Sequence, residues 1–152
     1  MFGSLKIALA LACLAASAAA QSVIIASSIA NSTLLPGETF VVDVDRPDTL
    51  TGSQEVAIAI GLLSCVGLAP RSPGMCYGVN TTGNIGRVLF SGTYAPTLVG
   101  NGHADLAQNF SVQVPGNFPI GPAILSVAHF ALIIGTEPFL EVVPQQVIVV
   151  GT

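Results

Sequence analysis

The chain has 152 residues, of which 51% are hydrophobic and only 8% are charged, and its formal net charge at pH 7 is −4. Its four basic residues are too few to neutralise a run of phosphates, which argues against nucleic acid and against an anionic membrane surface as partners. The length suits one domain with a sizeable core.

The N-terminal residues have the pattern of a secretory signal peptide. Lys6 precedes an apolar run at 7–14, and small residues at 18–20 supply a cleavage motif. The run is too short for a transmembrane helix, and no second long uncharged apolar stretch follows it. The sequence therefore predicts a signal peptide at 1–20, no membrane span, and a single secreted, extracellular domain at 21–152.

A secreted protein can be N-glycosylated and can form disulfides, and the predicted mature chain has three glycosylation sequons and a pair of cysteines. Asn31, Asn80 and Asn109 each begin an Asn-X-Ser/Thr sequon with a non-proline middle residue, so all three are candidate N-glycosylation sites. The mature chain keeps Cys65 and Cys76, and in an oxidising compartment this pair predicts a disulfide. A structural staple, contributing roughly 3 kcal/mol, is favoured over a redox role because there is no C-x-x-C motif.

Short apolar and β-branched runs, separated by Gly, Pro, Asn and Asp, are typical of an all-β protein. Pro-Gly pairs at 36–37 and 115–116 predict tight turns. The predicted strands number seven, which favours an immunoglobulin-like or fibronectin-like antiparallel β-sandwich over a barrel on count alone. They are 22–30, 39–45, 54–63, 86–91, 105–114, 123–132 and 140–150.

Alternation within the strands predicts which side chains face the core. In the second strand, Val42 and Val44 share one face while Asp43 and Asp45 share the other, which we expect to face solvent. The strand at 54–63 and the apolar run that begins at 123 are more uniformly hydrophobic. Either they are covered on both sides or they meet a partner, and the pattern does not separate the two causes.

The segment 64–84 is the one long irregular stretch, and the predicted disulfide makes it a stapled loop. Long loops in compact domains are often functional. Arg71 lies near its tip as a rare positive charge, either a partner contact or an ordinary solvated side chain.

A resemblance runs through the order of these segments from about residue 35 to the end of the chain. The segments that carry it are at 35–40, 56–61, 85–89, 110–115 and 121–132, followed by a Val-rich final strand. This order resembles the fungal necrosis-inducing secreted effector family, the Nis-type effectors of plant-associated fungi. The resemblance implies a virulence protein that binds plant immune receptor-associated kinases, suppresses pattern-triggered immunity and, in some members, induces cell death. It also allows translocation into host cells.

Few residues are available for catalysis, so we expect a protein that is not an enzyme and has no cofactor. His129 is expected to be a hydrogen-bonded core histidine instead of a base, and the pair His103 and Asp105 lacks a defined nucleophile. A small secreted hydrolase is therefore the second alternative.

No metal site is expected either. Clustered aspartates near a turn could offer oxygen ligands to calcium, but an exposed strand face leading into a turn explains them better. These residues are Asp43, Asp45 and Asp48.

Aromatic residues bear on the first alternative, an extracellular module that binds cell-wall glycans. Such modules present exposed aromatic rings, often those of tryptophan, and this chain has no tryptophan. Tyr77 and Tyr94 are the rings that we expect to be exposed. Together with Arg71 they are the candidate partner contacts.

Overall fold

The computed structural model describes residues 22–26, 32–48, 52–68, 76–100 and 103–151, and at residues 103 and 104 it describes the backbone alone. These residues form nine strands and no helix, which confirms the all-β prediction, and none of them belongs to a helix able to cross a membrane. The predicted signal peptide lies outside them. The strands are β1 (Ile24–Ile25), β2 (Thr33–Leu34), β3 (Thr39–Arg46), β4 (Ser53–Ser64), β5 (Arg87–Thr93), β6 (Thr97–Gly100), β7 (His103–Gln113), β8 (Gly121–Ile133) and β9 (Glu137–Val149).

The strands form two sheets. The four-stranded sheet has the order β1-β3-β7-β6, and the five-stranded sheet has the order β2-β9-β8-β4-β5. The long strands pair antiparallel, as predicted, whereas β2 pairs with β9 in parallel through Thr33 and Leu34. The specifically immunoglobulin-like arrangement stays a prediction.

Two strand predictions differ from the structure. Of the strand predicted at 22–30, residues 22–26 are described, and β1 lies within them in the four-stranded sheet. The sequence did not predict β2, which lies in the other sheet. The sequence also missed β6, since its four residues are all exposed and give no alternation of buried and exposed side chains.

The inner faces of the two sheets meet in one hydrophobic core. The predicted alternation in β3 is confirmed, because Val42 and Val44 are fully buried between the sheets. Phe110 and Val112 of β7 face the same core. From the five-stranded sheet, the core receives Ile58, Ile60, Leu62, Leu125 and Val127.

A bulge in β4 changes which of its side chains reach this inner face. The register between β4 and β8 shifts between Glu55 and Ala57, so one extra residue enters β4 at that point. Because side chains alternate along a strand, the extra residue reverses their order, and Glu55 joins Ile58 on the inner face. A carboxylate is thereby brought between the sheets.

The Cys65–Cys76 disulfide holds the stapled loop against the outer face of the five-stranded sheet. The two half-cystines pack with Leu63 and Ile124, and Val79 lies against them. One end of this outer face is therefore covered.

Two glycines permit the chain to pass close to β4 beside this loop. A Cβ built on Gly61 would lie 2.3 Å from the Ile85 carbonyl oxygen, and one built on Gly86 would lie 2.4 Å from that of Leu62. Gly86 also has a φ of +74°, which favours glycine. The covered end of the sheet thus has a fixed backbone geometry.

Candidate functional site

The other end of the same outer face is open and apolar. Alternation places Ala57 and Ala59 of β4 on the outer face, where they stand opposite Phe130 and Ala128 of β8. Phe130 in turn stands opposite Leu140 of β9, whose side chain is 71% exposed. Small side chains beside larger ones leave a depression in the sheet surface.

This depression is a groove of about 640 Å³, which we call the open groove. It runs from Ser91, Gly92 and Thr93 of β5 across β4 and β8 to Leu140. None of its lining residues is charged. Covering it would therefore desolvate apolar surface with little penalty from polar groups, which is the property of an interface core.

Directly behind the open groove, four ionisable side chains lie between the two sheets, three from the five-stranded sheet and one from the four-stranded sheet, and we call them the charged cluster. Its members are Arg46 of β3, Glu55 of β4, His129 of β8 and Glu141 of β9. His129 Nδ1 lies 3.0 Å from Glu141 Oε1, and Nε2 contacts Glu55 Oε2. Arg46 Nε lies 2.9 Å from Glu55 Oε1. A carboxylate faces each ring nitrogen of His129, an arrangement in which an imidazolium can donate to both.

The surroundings of His129 and Glu55 favour their charged forms. Burial lowers the pKa of His129, but hydrogen bonds to Glu141 and Glu55 and the charges of both carboxylates outweigh it and raise the pKa to about 8. Burial raises the pKa of Glu55, yet the hydrogen bonds from His129 and Ser53 and the nearby positive charges lower it below its ordinary value. His129 and Glu55 therefore both favour their charged forms near pH 7.

The charged cluster also holds the N-terminal end of the described chain. Glu141 accepts hydrogen bonds from the Ser22 hydroxyl and from the backbone N–H of Val23, the latter at 2.8 Å. Val23 is itself 1% exposed and belongs to the core. Since His129 is fully buried and both of its nitrogens are engaged, the arrangement fits a structural role and offers no free base to a substrate.

The predicted exposure of Tyr94 is wrong. Its side chain is 2% exposed, its hydroxyl donates to the Val44 carbonyl at 3.0 Å, and its ring meets that of His129 edge-on. Burial, followed by the nearby carboxylates of Glu55 and Asp45, raises the pKa of the phenol. Tyr94 thus packs beside the charged cluster and is closed to a partner.

Three of the remaining predicted contacts and glycosylation sites lie within the described residues, and none of the three lines the open groove. Tyr77 lies in the stapled loop and is 81% exposed. Asn80 and Asn109 are exposed. Arg71 and Asn31 lie outside the described residues.

The predicted catalytic and calcium candidates do not form a described site. Asp105 accepts a hydrogen bond from the Asp48 backbone N–H at 2.8 Å, and the His103 side chain is outside the description. Asp43 and Asp45 lie on the outer face of the four-stranded sheet, as expected, but both are half-buried. Burial and then the charge of Asp43 raise the pKa of Asp45. Among the described residues, no group of three or more His, Cys, Asp or Glu side chains is placed to hold a metal ion.

Sequence reasoning missed both the open groove and the charged cluster as assemblies. The apolar runs in β4 and β8 were the signal for the groove, since a strand meeting a partner was one of their two interpretations. For Arg46, Glu55 and Glu141 there was no such signal, because only the strand register and the β4 bulge bring them to His129.

Comparison with known proteins gives one positive finding. The model of the Nis1 family matches the chain over residues 20–147. A search of curated proteins returned no match.

Proposed function

Because the chain belongs to the Nis1 family, we propose that it is a secreted fungal effector that binds plant immune receptor-associated kinases and suppresses pattern-triggered immunity. It acts by occupying a surface of the kinase instead of transforming a substrate. Cell death in the host follows from this binding in tissue where the kinase is essential. Translocation into the host cell gives the protein access to the kinase domain.

The open groove is the observation that supports recognition. Its uncharged lining and the 71% exposed Leu140 form an apolar surface that the fold leaves uncovered, although the other end of the same sheet face is covered by the stapled loop. Such a surface on an extracellular protein is typical of a protein interaction site. We therefore assign the kinase contact to the open groove.

The closed geometry of the charged cluster supports a binding protein over a hydrolase. His129 is fully buried, and each of its ring nitrogens contacts a glutamate carboxylate. A general base must reach a substrate proton directly or through one water. The arrangement gives His129 no such access.

The proposal is tested with the purified protein and the kinase domains of plant immune co-receptors. Leu140→Asp places a charge in the open groove and should weaken binding at least tenfold, about 1.4 kcal/mol. Leu98→Asp is the matched control, because Leu98 is a strand leucine of similar exposure, 67%, on the other sheet. Calorimetry gives the affinities, and the oxidative burst of leaf tissue challenged with a microbial elicitor gives the biological response.

Three outcomes contradict the proposal in different ways. Failure of the unmodified protein to bind any of these kinases rejects the partner. Equal weakening by Leu98→Asp and Leu140→Asp, or by neither, rejects the open groove as the contact. Retention on insoluble chitin or glucan, lost in Tyr77→Ala, instead supports the alternative of a glycan-binding module, which rests on that exposed ring.

A further inference from the structure

Asn80 is held in a compact local structure within the stapled loop. Its Oδ1 accepts hydrogen bonds from the backbone N–H groups of Thr82 and Gly83, at 3.1 and 3.2 Å, and from the Thr82 hydroxyl at 2.9 Å. Every hydrogen bond described for this side chain uses Oδ1, so Nδ2 is available for modification. The residues that form this local structure are those of the sequon Asn80-Thr81-Thr82.

The sequon at Asn109 has a different geometry. Asn109 and Ser111 lie on β7, where two residues along a strand advance about 6.7 Å. Their side chains point to the same face of the strand, and the structure describes no hydrogen bond between them. Asn109 also stands in the body of the four-stranded sheet, opposite Asp43 of β3. Both asparagines are exposed, but of their two sequons only that at Asn80 is ordered by hydrogen bonds among its own residues.

Asn80 borders a second groove, of about 320 Å³, between the stapled loop and the sheet. Leu63, Leu68 and Val79 line this loop groove together with Asn80, and Leu68 is 54% exposed. The polar lining comes from Asn80, Asn84 and the glycine backbones, and none of the lining residues is charged. A sugar, with an apolar ring face and several hydroxyl groups, suits such a mixed surface.

From these contacts we propose that Asn80 is preferred over Asn109 as an N-glycan acceptor, and that its first N-acetylglucosamine covers the loop groove beside Leu68. The proposal rests on the secretory route of the proposed function but not on the kinase partner. The glycan lies at the covered end of the sheet, and no residue that lines the loop groove also lines the open groove. It adds polar surface to a chain with only 8% charged residues.

The modification is a group transfer from a lipid-pyrophosphate-linked oligosaccharide. The Asn80 Nδ2 atom attacks the anomeric carbon of the first N-acetylglucosamine, and a carbon–nitrogen bond forms. The bond between that carbon and the pyrophosphate oxygen breaks, so the lipid pyrophosphate leaves with the bonding electrons. The amide nitrogen loses one proton, and no oxidant or reductant is required.

The test is secretion of the full chain from yeast, followed by peptide mass spectrometry with and without a glycosidase that removes N-glycans. Occupancy at Asn80 should exceed that at Asn109 several-fold. The glycan at position 80 should be lost in Asn80→Gln and Thr82→Ala, whereas Thr82→Ser, Thr81→Ala and Asn109→Gln should keep it. Equal or lower occupancy at Asn80 than at Asn109 overturns the proposal.

A second measurement tests the position of the sugar. Removing the glycan from the folded protein should increase the fluorescence of a hydrophobic dye, and Leu68→Ser should cancel that increase. No change on glycan removal rejects the covering of the loop groove. If the native leader fails to export the chain, a yeast leader repeats both measurements, and only the secretory part of the proposed function is then contradicted.

Discussion

The two ends of the five-stranded sheet differ in which of their faces carry apolar and charged side chains. At the stapled end both faces are apolar and covered, since Leu62 and Leu125 face the core and Ile124 lies beneath the disulfide. At the open end the inner face carries the charged cluster, and the outer face carries exposed Leu140. The open end therefore has its charges inside and its apolar side chains outside.

The register of β8 and β9 makes this inversion local. His129 stands opposite Glu141, and at the adjacent position Phe130 stands opposite Leu140 on the other face. Buried ion pairs are weak evidence for stability. The difference teaches that the open groove is not required to complete the core, which is why we assign it to recognition.

The largest effect should come from breaking the charged cluster. His129→Leu leaves two carboxylates between the sheets without their shared donor, and removal of one partner from such a group costs roughly 3–5 kcal/mol. Val127→Ala, two residues earlier on the same face, removes only aliphatic volume and should cost about 2 kcal/mol. Urea unfolding followed by circular dichroism gives both values. If His129→Leu lowers the free energy of unfolding no more than Val127→Ala does, the charged cluster contributes no more to stability than one aliphatic side chain.

The sequence predicted the hydrophobic core better than the charged cluster for a physical reason. Alternation is a local property, so Val42 and Val44 were correctly placed from their own strand. Glu55 depends on a bulge and on its register with β8, which are set by pairing between distant segments. Tyr94 was misplaced because it follows β5 directly and turns inward to reach the Val44 carbonyl, a contact that no short pattern encodes.

The outer face of the sheet gives a second comparison of intermediate size. Ile124→Ala, beneath the stapled loop, removes a 2% exposed side chain and should destabilise the fold by about 2–3 kcal/mol. Leu140→Ala, in the open groove, should change the free energy of unfolding by less than about 0.5 kcal/mol, because the side chain is mostly exposed. Thermal unfolding of the two variants checks this difference. A large loss for Leu140→Ala would mean that the open groove serves stability and would weaken its assignment to recognition.

The smallest effect concerns the pH dependence of stability, which comes from the charged cluster and not from aliphatic side chains. The folded-state pKa of His129 is raised from 6.5 to about 8, so its contribution is fully present below pH 6.5 and is lost as the pH rises through about 8. The loss should reach about 2 kcal/mol. Glu55, whose pKa is lowered from 4.5, has the opposite sign, because its contribution is present above pH 4.5 and declines as the pH falls through its lowered pKa. Stability should thus be greatest between about pH 4.5 and 6.5. Urea midpoints at pH 5.5, 7 and 8.5 test the alkaline decline, with His129→Gln as the variant that should lack it; an equal decline in that variant would assign the pH dependence to groups outside the charged cluster.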